Sequence, residues 1–160
     1  KDSAGLPPGE GGHDFRYYQA RWDGKAWKVR EIAYGGSKLY PREDDYTGNV
    51  ALDPHDPDTV LISTNADPST GKPLVSRADG RRHWEIFQGT TRDGGATWTW
   101  TPLTRDSSQD NIRPVVPMGE GCGRVVLWLR GVMRAYTDYD FSVVGLAVPR
   151  CAAAPKAVKR

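Results

Sequence analysis

The chain has 160 residues, a formal net charge of +2 and a hydrophobic fraction of 38%. With a charge so close to neutral, no basic stripe indicates a nucleic-acid-binding domain, and no apolar run is long enough to span a bilayer. The 18 glycines and 12 prolines indicate frequent turns, and the six tryptophans and seven tyrosines are typical of strand-rich packing. No capped amphipathic stretch of about ten or more residues predicts a helix, so an all-β fold is expected.

The first predicted element is a β-hairpin. A strand-like run at 15–22 is followed by the turn Asp23-Gly24 and then by Trp27. Asp-Gly is a strong hairpin signal, because glycine adopts a positive φ without a steric clash. His13 stands at the start of this strand, where it faces either a central site or a rim.

A hairpin of a second kind follows. Val50-Ala51-Leu52 and Val60-Leu61-Ile62 are short apolar runs separated by a turn rich in Pro and Asp, in which we interpret His55 as structural. The prolines of this turn and its lack of an EF-hand pattern argue against calcium, and no His/Cys spacing indicates zinc. We therefore predict neither a metal site nor a cofactor.

The most specific motif lies at residues 91–98, which read Thr-Arg-Asp-Gly-Gly-Ala-Thr-Trp. It fits the pattern Ser/Thr-x-Asp-x-Gly-x-Thr-Trp, known as the Asp box, which is a folding device rather than a catalytic one. The Asp93 carboxylate can accept hydrogen bonds from amides of the turn. Trp98 suits a strand whose aromatic ring lies beneath that turn. The motif predicts a third hairpin, of the same kind as the first.

The last predicted hairpin pairs Val115-Val116 with Val125-Val126-Leu127 across a Gly-rich turn, as in the second hairpin. The two kinds of hairpin thus alternate along the chain. One hairpin of each kind makes four antiparallel strands, which is one blade of a β-propeller. The predicted fold is a partial, all-β propeller with about three four-stranded antiparallel blades and one Asp box.

The propeller interpretation also predicts the organisation of the chain. Closed propellers have about 4–8 blades, so we expect this chain to be the C-terminal part of a larger ring, with the remaining blades of a parent chain as partners. A self-sufficient open β domain is the alternative. The predicted units are a propeller domain at 1–150, with a blade end at 13–34, a blade at 46–104 and a last blade at 111–149, and a flexible tail at 151–160.

Two cysteines fall at the same end of the last predicted blade. Cys122 lies in a turn between its first two strands, and Cys151 follows its third strand. A disulfide between them and two unpaired structural cysteines are equally compatible with the sequence.

The propeller interpretation sorts the loops into two faces. The Asp box lies on one face, whereas the loops between blades lie on the opposite face, where ligands usually bind. The segments expected there are rich in Arg, Tyr and acidic residues: 35–48, 63–84, 104–113 and 129–140. Arg binds carboxylates with a bidentate fork, and Tyr supplies a phenol for proton transfer and a ring on which sugars stack. The face suits an anionic sugar chain; Arg–Asp pairs that merely brace turns are the alternative.

Three stretches resemble the C-terminal blades of bacterial BNR-repeat propellers: 46–57, the Asp box, and 110–114 together with 127–131 and 136–140. Some members of that group are secreted polysaccharide lyases, including ulvan lyases and rhamnose–glucuronate lyases. The resemblance implies a secreted or periplasmic carbohydrate-active protein that cleaves a uronate-containing polysaccharide or oligosaccharide by β-elimination.

In such a reaction, Arg or Asn neutralises the uronate carboxylate, and Tyr or His moves the proton. The residues expected to act in catalysis are Tyr46 and His13 for proton transfer and Arg113 and Arg134 for the carboxylate. The residues expected to bind substrate are Arg42, Asn65, Arg82, His83, Asn111, Arg130, Tyr136 and Tyr139.

Two other functions are compatible with the sequence, because the Asp box also recurs in sialidases and in non-catalytic propellers. A sialidase-like glycoside hydrolase needs a Tyr–Glu pair, and Glu43 is the only glutamate in a predicted ligand-face loop, with Tyr40 or Tyr46 as its partner. A propeller that only binds carbohydrate or protein needs no acid/base pair. Product analysis separates the three functions. An unsaturated sugar indicates a lyase, a saturated reducing sugar indicates a hydrolase, and an unchanged ligand indicates a binding protein.

Overall fold

A computed structural model describes residues 10–119 and 123–149 of the protein. These residues form nine strands and no helix, and none of them belongs to a segment that could cross a membrane as a helix. Cys122, Cys151 and the tail at 151–160 lie outside the described residues, so both alternatives for the two cysteines stay open. The strands are β1 (Phe15–Trp22), β2 (Trp27–Gly36), β3 (Val50–Asp53), β4 (Asp56–Thr64), β5 (Glu85–Thr90), β6 (Thr99–Pro102), β7 (Asp110–Val115), β8 (Gly123–Ala135) and β9 (Asp138–Pro149).

The strands form three antiparallel sheets. Sheet 1 contains β1 and β2, sheet 2 contains β3 to β6, and sheet 3 contains β7 to β9, each in chain order. The prediction of an all-β, antiparallel fold is confirmed. The described residues do not close a ring, and the partial propeller stays a prediction.

The first three predicted hairpins are present. Trp22 pairs with Trp27 across the Asp23-Gly24 turn. Val50 pairs with Ile62 and Leu52 with Val60 in the second hairpin. Thr90 pairs with Thr99 on either side of the Asp box. Turn residues and apolar runs were sufficient to predict these hairpins, because both signals act over a few neighbouring residues.

The segments 104–113 and 129–140 differ from their prediction as loops. Asp110–Val115 is β7, and β8 and β9 continue to a tight turn at Tyr136 and Thr137. The physical reason is burial: Ile112 and Met133 enter the core, and the strand pairing of β7, β8 and β9 satisfies their backbone. Residues 129–140 are thus part of the β8–β9 hairpin.

Sheet 2 lies between the other two sheets, and its strand β4 is buried on both faces. Val60 and Ile62 of β4 pack with Tyr17 of sheet 1, whereas Leu61 packs with Val126 of sheet 3. Six consecutive residues of β4, from Thr59 to Thr64, are buried, as expected of a strand covered on both sides.

Polar contacts also join the sheets. The Tyr17 hydroxyl donates to the Ser63 carbonyl over 2.8 Å, and the Ser63 hydroxyl donates to the Asn111 carbonyl over 2.6 Å. Arg124 of β8 forms a buried ion pair with Asp53 of β3 at 2.7 Å and donates to Gln88 of β5. These contacts fix the sheets against each other, since breaking one would leave a buried polar group unpaired.

The turns at 23–26, 54–55 and 91–98 meet at one end of the sheets, which we call the Asp-box end. Arg30 donates to the Gly94 carbonyl over 3.3 Å, and the Thr91 amide donates to the Asp58 carbonyl over 3.0 Å. The loop at 37–49 and the start of β7 lie at the opposite end, because they contact the last residues of β4 and the residue before β5.

Candidate functional site

A cleft with two lobes opens at the end of the sheets opposite the Asp box. The polar lobe has a volume of about 480 Å³ and is lined by Tyr40, Glu43, Asp45, Tyr46, Asn49, Arg113 and Tyr136. The aromatic lobe has a volume of about 330 Å³ and is lined by Arg113, Leu129, Met133, Tyr136, Tyr139 and Phe141. Arg113 and Tyr136 line both lobes. The cleft thus contains two of the predicted catalytic residues, Tyr46 and Arg113, and two of the predicted binding residues, Tyr136 and Tyr139.

Backbone hydrogen bonds hold the loop at 37–49 against sheets 2 and 3. The Ser63 amide donates to the Asn49 carbonyl over 2.9 Å, and the Arg113 amide donates to the Gly48 carbonyl over 2.8 Å. Gly48 allows this close approach, since a Cβ there would lie 2.2 Å from the Ser63 Oγ and 2.7 Å from a Trp84 ring carbon. The polar lobe is therefore formed by a loop in a defined position.

The backbone at Arg113 is irregular. The pairing of β7 with β8 shifts register between Ile112 and Val115, and Arg113 has a φ of +53° within this bulge. Asn49, across the polar lobe, has a φ of +76°. Non-glycine residues seldom adopt such angles, and backbone strain of this kind is concentrated at functional sites. A β-bulge changes the direction in which side chains point, and Arg113, within this bulge, lies at the junction of the lobes.

The Arg113 guanidinium has no carboxylate partner among the residues that the structure describes. Its Nε atom is buried without a hydrogen bond, and its central carbon lies 5.4 Å from the centroid of the Tyr46 ring. The side chain is half-buried, so water only partly screens its charge. An unpaired cation in a cleft is a site for an anionic ligand.

Tyr46 lies beside this cation and packs on the buried cluster of Leu39, Trp84, Ile112 and Met133. Within the described residues its hydroxyl makes no hydrogen bond. The phenol is therefore held in place by its ring and keeps its oxygen available to a ligand.

A second phenol in the polar lobe is paired with an acid. The Tyr40 hydroxyl donates to the Glu43 carboxylate over 3.2 Å, and the other oxygen of Glu43 accepts the Asp45 amide over 3.1 Å. Desolvation, followed by the hydrogen bond to Glu43, raises the pKa of Tyr40 above its usual value. Tyr40 thus stays protonated at neutral pH and directs its hydroxyl hydrogen at Glu43.

The aromatic lobe is formed by the β8–β9 hairpin. Tyr139 and Phe141 point to the same face of β9, and their rings stack with centroids 6.0 Å apart and an angle of 23°. Leu129 and Met133 supply the apolar floor. The lobe therefore offers a flat ring surface next to the charge of Arg113.

Several predicted residues do not line the cleft. His13 is exposed and precedes β1, and Arg42 and Arg130 are exposed. Arg134 forms an exposed ion pair with Asp138 at 2.8 Å. The geometry does not support a role in the cleft for His13 or Arg134.

Three other predicted binding residues brace the fold. The Asn65 side chain accepts the Ser37 amide over 3.0 Å, and Arg82 donates to the Asn65 carbonyl over 2.7 Å. The buried Asn111 side chain accepts the Trp128 indole N–H over 2.8 Å. These residues make hydrogen bonds within the fold. The sequence pattern alone does not distinguish such a role from contact with a ligand.

His83, the remaining predicted binding residue, lies between two carboxylates outside the cleft. Its Nε2 is 2.9 Å from Asp79 and its Nδ1 is 3.0 Å from Asp110. Burial opposes the charged imidazole, but the hydrogen bonds with Asp79 and Asp110 outweigh burial and raise the pKa of His83. His83 ties the loop before β5 to the start of β7.

Some residues of the cleft were not anticipated from the sequence: Asn49, Leu129, Met133 and Phe141. Two local signals in the sequence pointed to Asn49 and Phe141. Gly48-Asn49 is a dipeptide that tolerates a positive φ, and Phe141 follows Tyr139 by two residues, which is the spacing of one strand face.

Comparison with protein-family models, with curated proteins and with solved structures gives no match to this chain. The resemblance to BNR-repeat propellers therefore stays a prediction. Within residues 10–119 and 123–149, no cluster of three or more His, Cys, Asp or Glu side chains could hold a metal ion.

Proposed function

We propose that the protein binds an anionic, uronate-containing saccharide in the two-lobed cleft and cleaves it by β-elimination. The observation that carries this proposal is the unpaired Arg113 guanidinium at the junction of the lobes, with the Tyr46 phenol beside it. The guanidinium of arginine matches the geometry of a carboxylate, and its electrostatic attraction to that carboxylate is stronger where water is partly excluded.

The chemistry follows from these two side chains. Arg113 pairs with the uronate carboxylate and withdraws charge from the adjacent carbon, which makes the C5 proton more acidic. Tyr46, in its phenolate form, takes that proton, and the C5–H electron pair forms the C4–C5 double bond. The C4–O4 bond breaks, and the leaving oxygen receives the proton from the Tyr46 phenol. The tyrosine is thereby returned to its starting form.

This proposal is tested by incubating the chain with alginate, pectate and glucuronate-containing polysaccharides. We expect an increase in the ultraviolet absorbance of the conjugated enoate. Tyr46→Phe should lower the rate about 10²–10⁴-fold and leave binding intact, since the ring and its packing are retained. A panel without enoate products, or a Tyr46→Phe variant with wild-type activity, would contradict the proposed elimination.

The Tyr40–Glu43 hydrogen bond supports a second candidate function, hydrolysis of an anionic glycoside. In that reaction Glu43 takes the Tyr40 proton, Tyr40 attacks the anomeric carbon, and Asp45 serves as the acid/base group for the leaving oxygen and water. Arg113 again holds the carboxylate.

The two reactions use different phenols, so one matched pair of variants separates them. Elimination should be lost in Tyr46→Phe and retained in Tyr40→Phe, with unsaturated products. Hydrolysis should show the reverse pattern, with saturated reducing sugars. A ligand that binds through Arg113 and remains unchanged would identify a binding protein.

A further inference from the structure

Arg113 and Tyr136 line both lobes of the cleft, so the cation lies between two spaces rather than at the end of one. The volumes of about 480 and 330 Å³ each reach the ~300–1,000 Å³ that is usual for small-molecule sites. A ligand with a terminal carboxylate on Arg113 would occupy one lobe and leave water in the other. A ligand with its carboxylate in the middle fills both.

The two lobes differ in chemistry. In the polar lobe, Tyr40, Glu43 and Asn49 offer groups that hydrogen-bond to sugar hydroxyls. In the aromatic lobe, the stacked rings of Tyr139 and Phe141 offer a flat apolar surface. A pyranose ring can pack one apolar face on such rings while its hydroxyls remain in water.

We propose that the cleft binds an internal acidic sugar of a longer chain at Arg113, with one neighbouring sugar in the polar lobe and the other stacked on Tyr139. This inference rests on the proposed function, because Arg113 must hold the carboxylate. It adds that the aromatic lobe is a subsite for the sugar next to the acid. The protein then selects chains with internal uronates over free uronate monosaccharides.

The test is calorimetric titration with galacturonate and tetragalacturonate, and with glucuronate and a chondroitin tetrasaccharide. Tyr139→Ala should weaken tetrasaccharide binding about 2- to 10-fold more than it weakens monosaccharide binding. Tyr139→Phe should bind as the wild type, because the ring is kept. Tyr18→Ala is the matched control, since Tyr18 is 59% exposed on β1 and Tyr139 is 61% exposed in the cleft.

Two failures can be distinguished. If Arg113→Gln abolishes tetrasaccharide binding but Tyr139→Ala does not change it, the aromatic subsite is refuted and the proposed function stands. The aromatic subsite is equally refuted if a monosaccharide binds as tightly as its tetrasaccharide. If the wild type binds no uronate, or Arg113→Gln binds as the wild type does, both proposals are overturned.

Discussion

The two ends of the sheets use polar side chains in opposite ways. At the Asp-box end, Asp93 accepts the Thr97 amide over 2.9 Å and the Thr91 and Thr97 hydroxyls, and Trp98 donates to the Gly95 carbonyl over 3.3 Å. At the cleft end, the Arg113 guanidinium and the Tyr46 hydroxyl have no hydrogen-bond partner within the described chain. The first end uses its hydrogen bonds for folding, and the second end keeps polar groups for a ligand.

The charged groups at the two ends show the same difference. The hydrogen bonds from Thr97, followed by that from Thr91, hold the pKa of Asp93 well below its usual range. Such a shift means that the folded state favours the carboxylate, so acid should loosen the turn. Within the described residues no comparable internal partner engages Arg113, and its charge can act on a ligand.

The largest expected effect is the loss of stability when a buried arginine is replaced, compared with the replacement of an exposed one. Arg124 and its partner Asp53 are only 5% and 1% exposed, so Arg124→Gln removes the cation that neutralises a buried carboxylate. We expect a loss of about 3–5 kcal/mol in the free energy of unfolding, measured by urea titration.

The matched control is Arg134→Gln, whose ion pair with Asp138 is 55% and 59% exposed. It should cost less than about 1 kcal/mol. Equal losses in the two variants would contradict the assignment of Arg124 to the joint between sheets 2 and 3.

A smaller effect is expected at the Asp box. The buried Thr91 hydroxyl accepts the Gly95 amide over 2.9 Å, and Thr91→Val would leave that amide unsatisfied. The expected loss is about 1–3 kcal/mol in the free energy of unfolding. Thr99→Val, in an exposed position of β6, is the control and should be close to neutral. Saccharide binding should survive in both variants; its loss in Thr91→Val would show that the two ends are coupled.

The smallest expected effect is a pH dependence at His83. Because its folded-state pKa is raised above the ordinary value of 6.5, its stabilising contribution is complete below about pH 6.5 and is lost as the pH rises through the folded-state pKa. The urea midpoint of the wild type should therefore fall, relative to that of His83→Gln, as the pH increases from 6 to about 8.

His55→Gln is the control for this pH dependence, because His55 lies exposed in the β3–β4 turn. It should keep the wild-type pH profile. A profile of His83→Gln that is parallel to the wild type would refute the bridge between Asp79 and Asp110.

The hairpins could be predicted because their signals are local. Asp23-Gly24 and Asp93-Gly94-Gly95 specify turns, and the short apolar runs in β3 and β4 on either side of a Pro- and Asp-rich turn specify a hairpin. The extension of β8 and β9 through 129–140 was not predicted, because the Arg and Tyr residues of this segment resemble a polar loop when the burial of Met133 is unknown.

The candidate site was predictable only in part. Residue type and loop position pointed to Tyr46, Arg113, Tyr136 and Tyr139, which the structure brings into one cleft. The roles of buried polar residues such as Asn111 depend on partners distant in sequence, and no local pattern reveals them. Placing Phe141 in the cleft required knowledge of the register of β9.

The most direct test of the account is to measure unfolding and binding on the same samples of wild type and Arg113→Gln. The probes are the uronate tetrasaccharides at low salt. We predict nearly unchanged stability, because Arg113 makes no ion pair with the described residues, and binding that is weaker by about 10-fold or more, because a charge-assisted contact is lost. Unchanged binding together with a large loss of stability would show that Arg113 belongs to the fold and would contradict the assignment of the cleft.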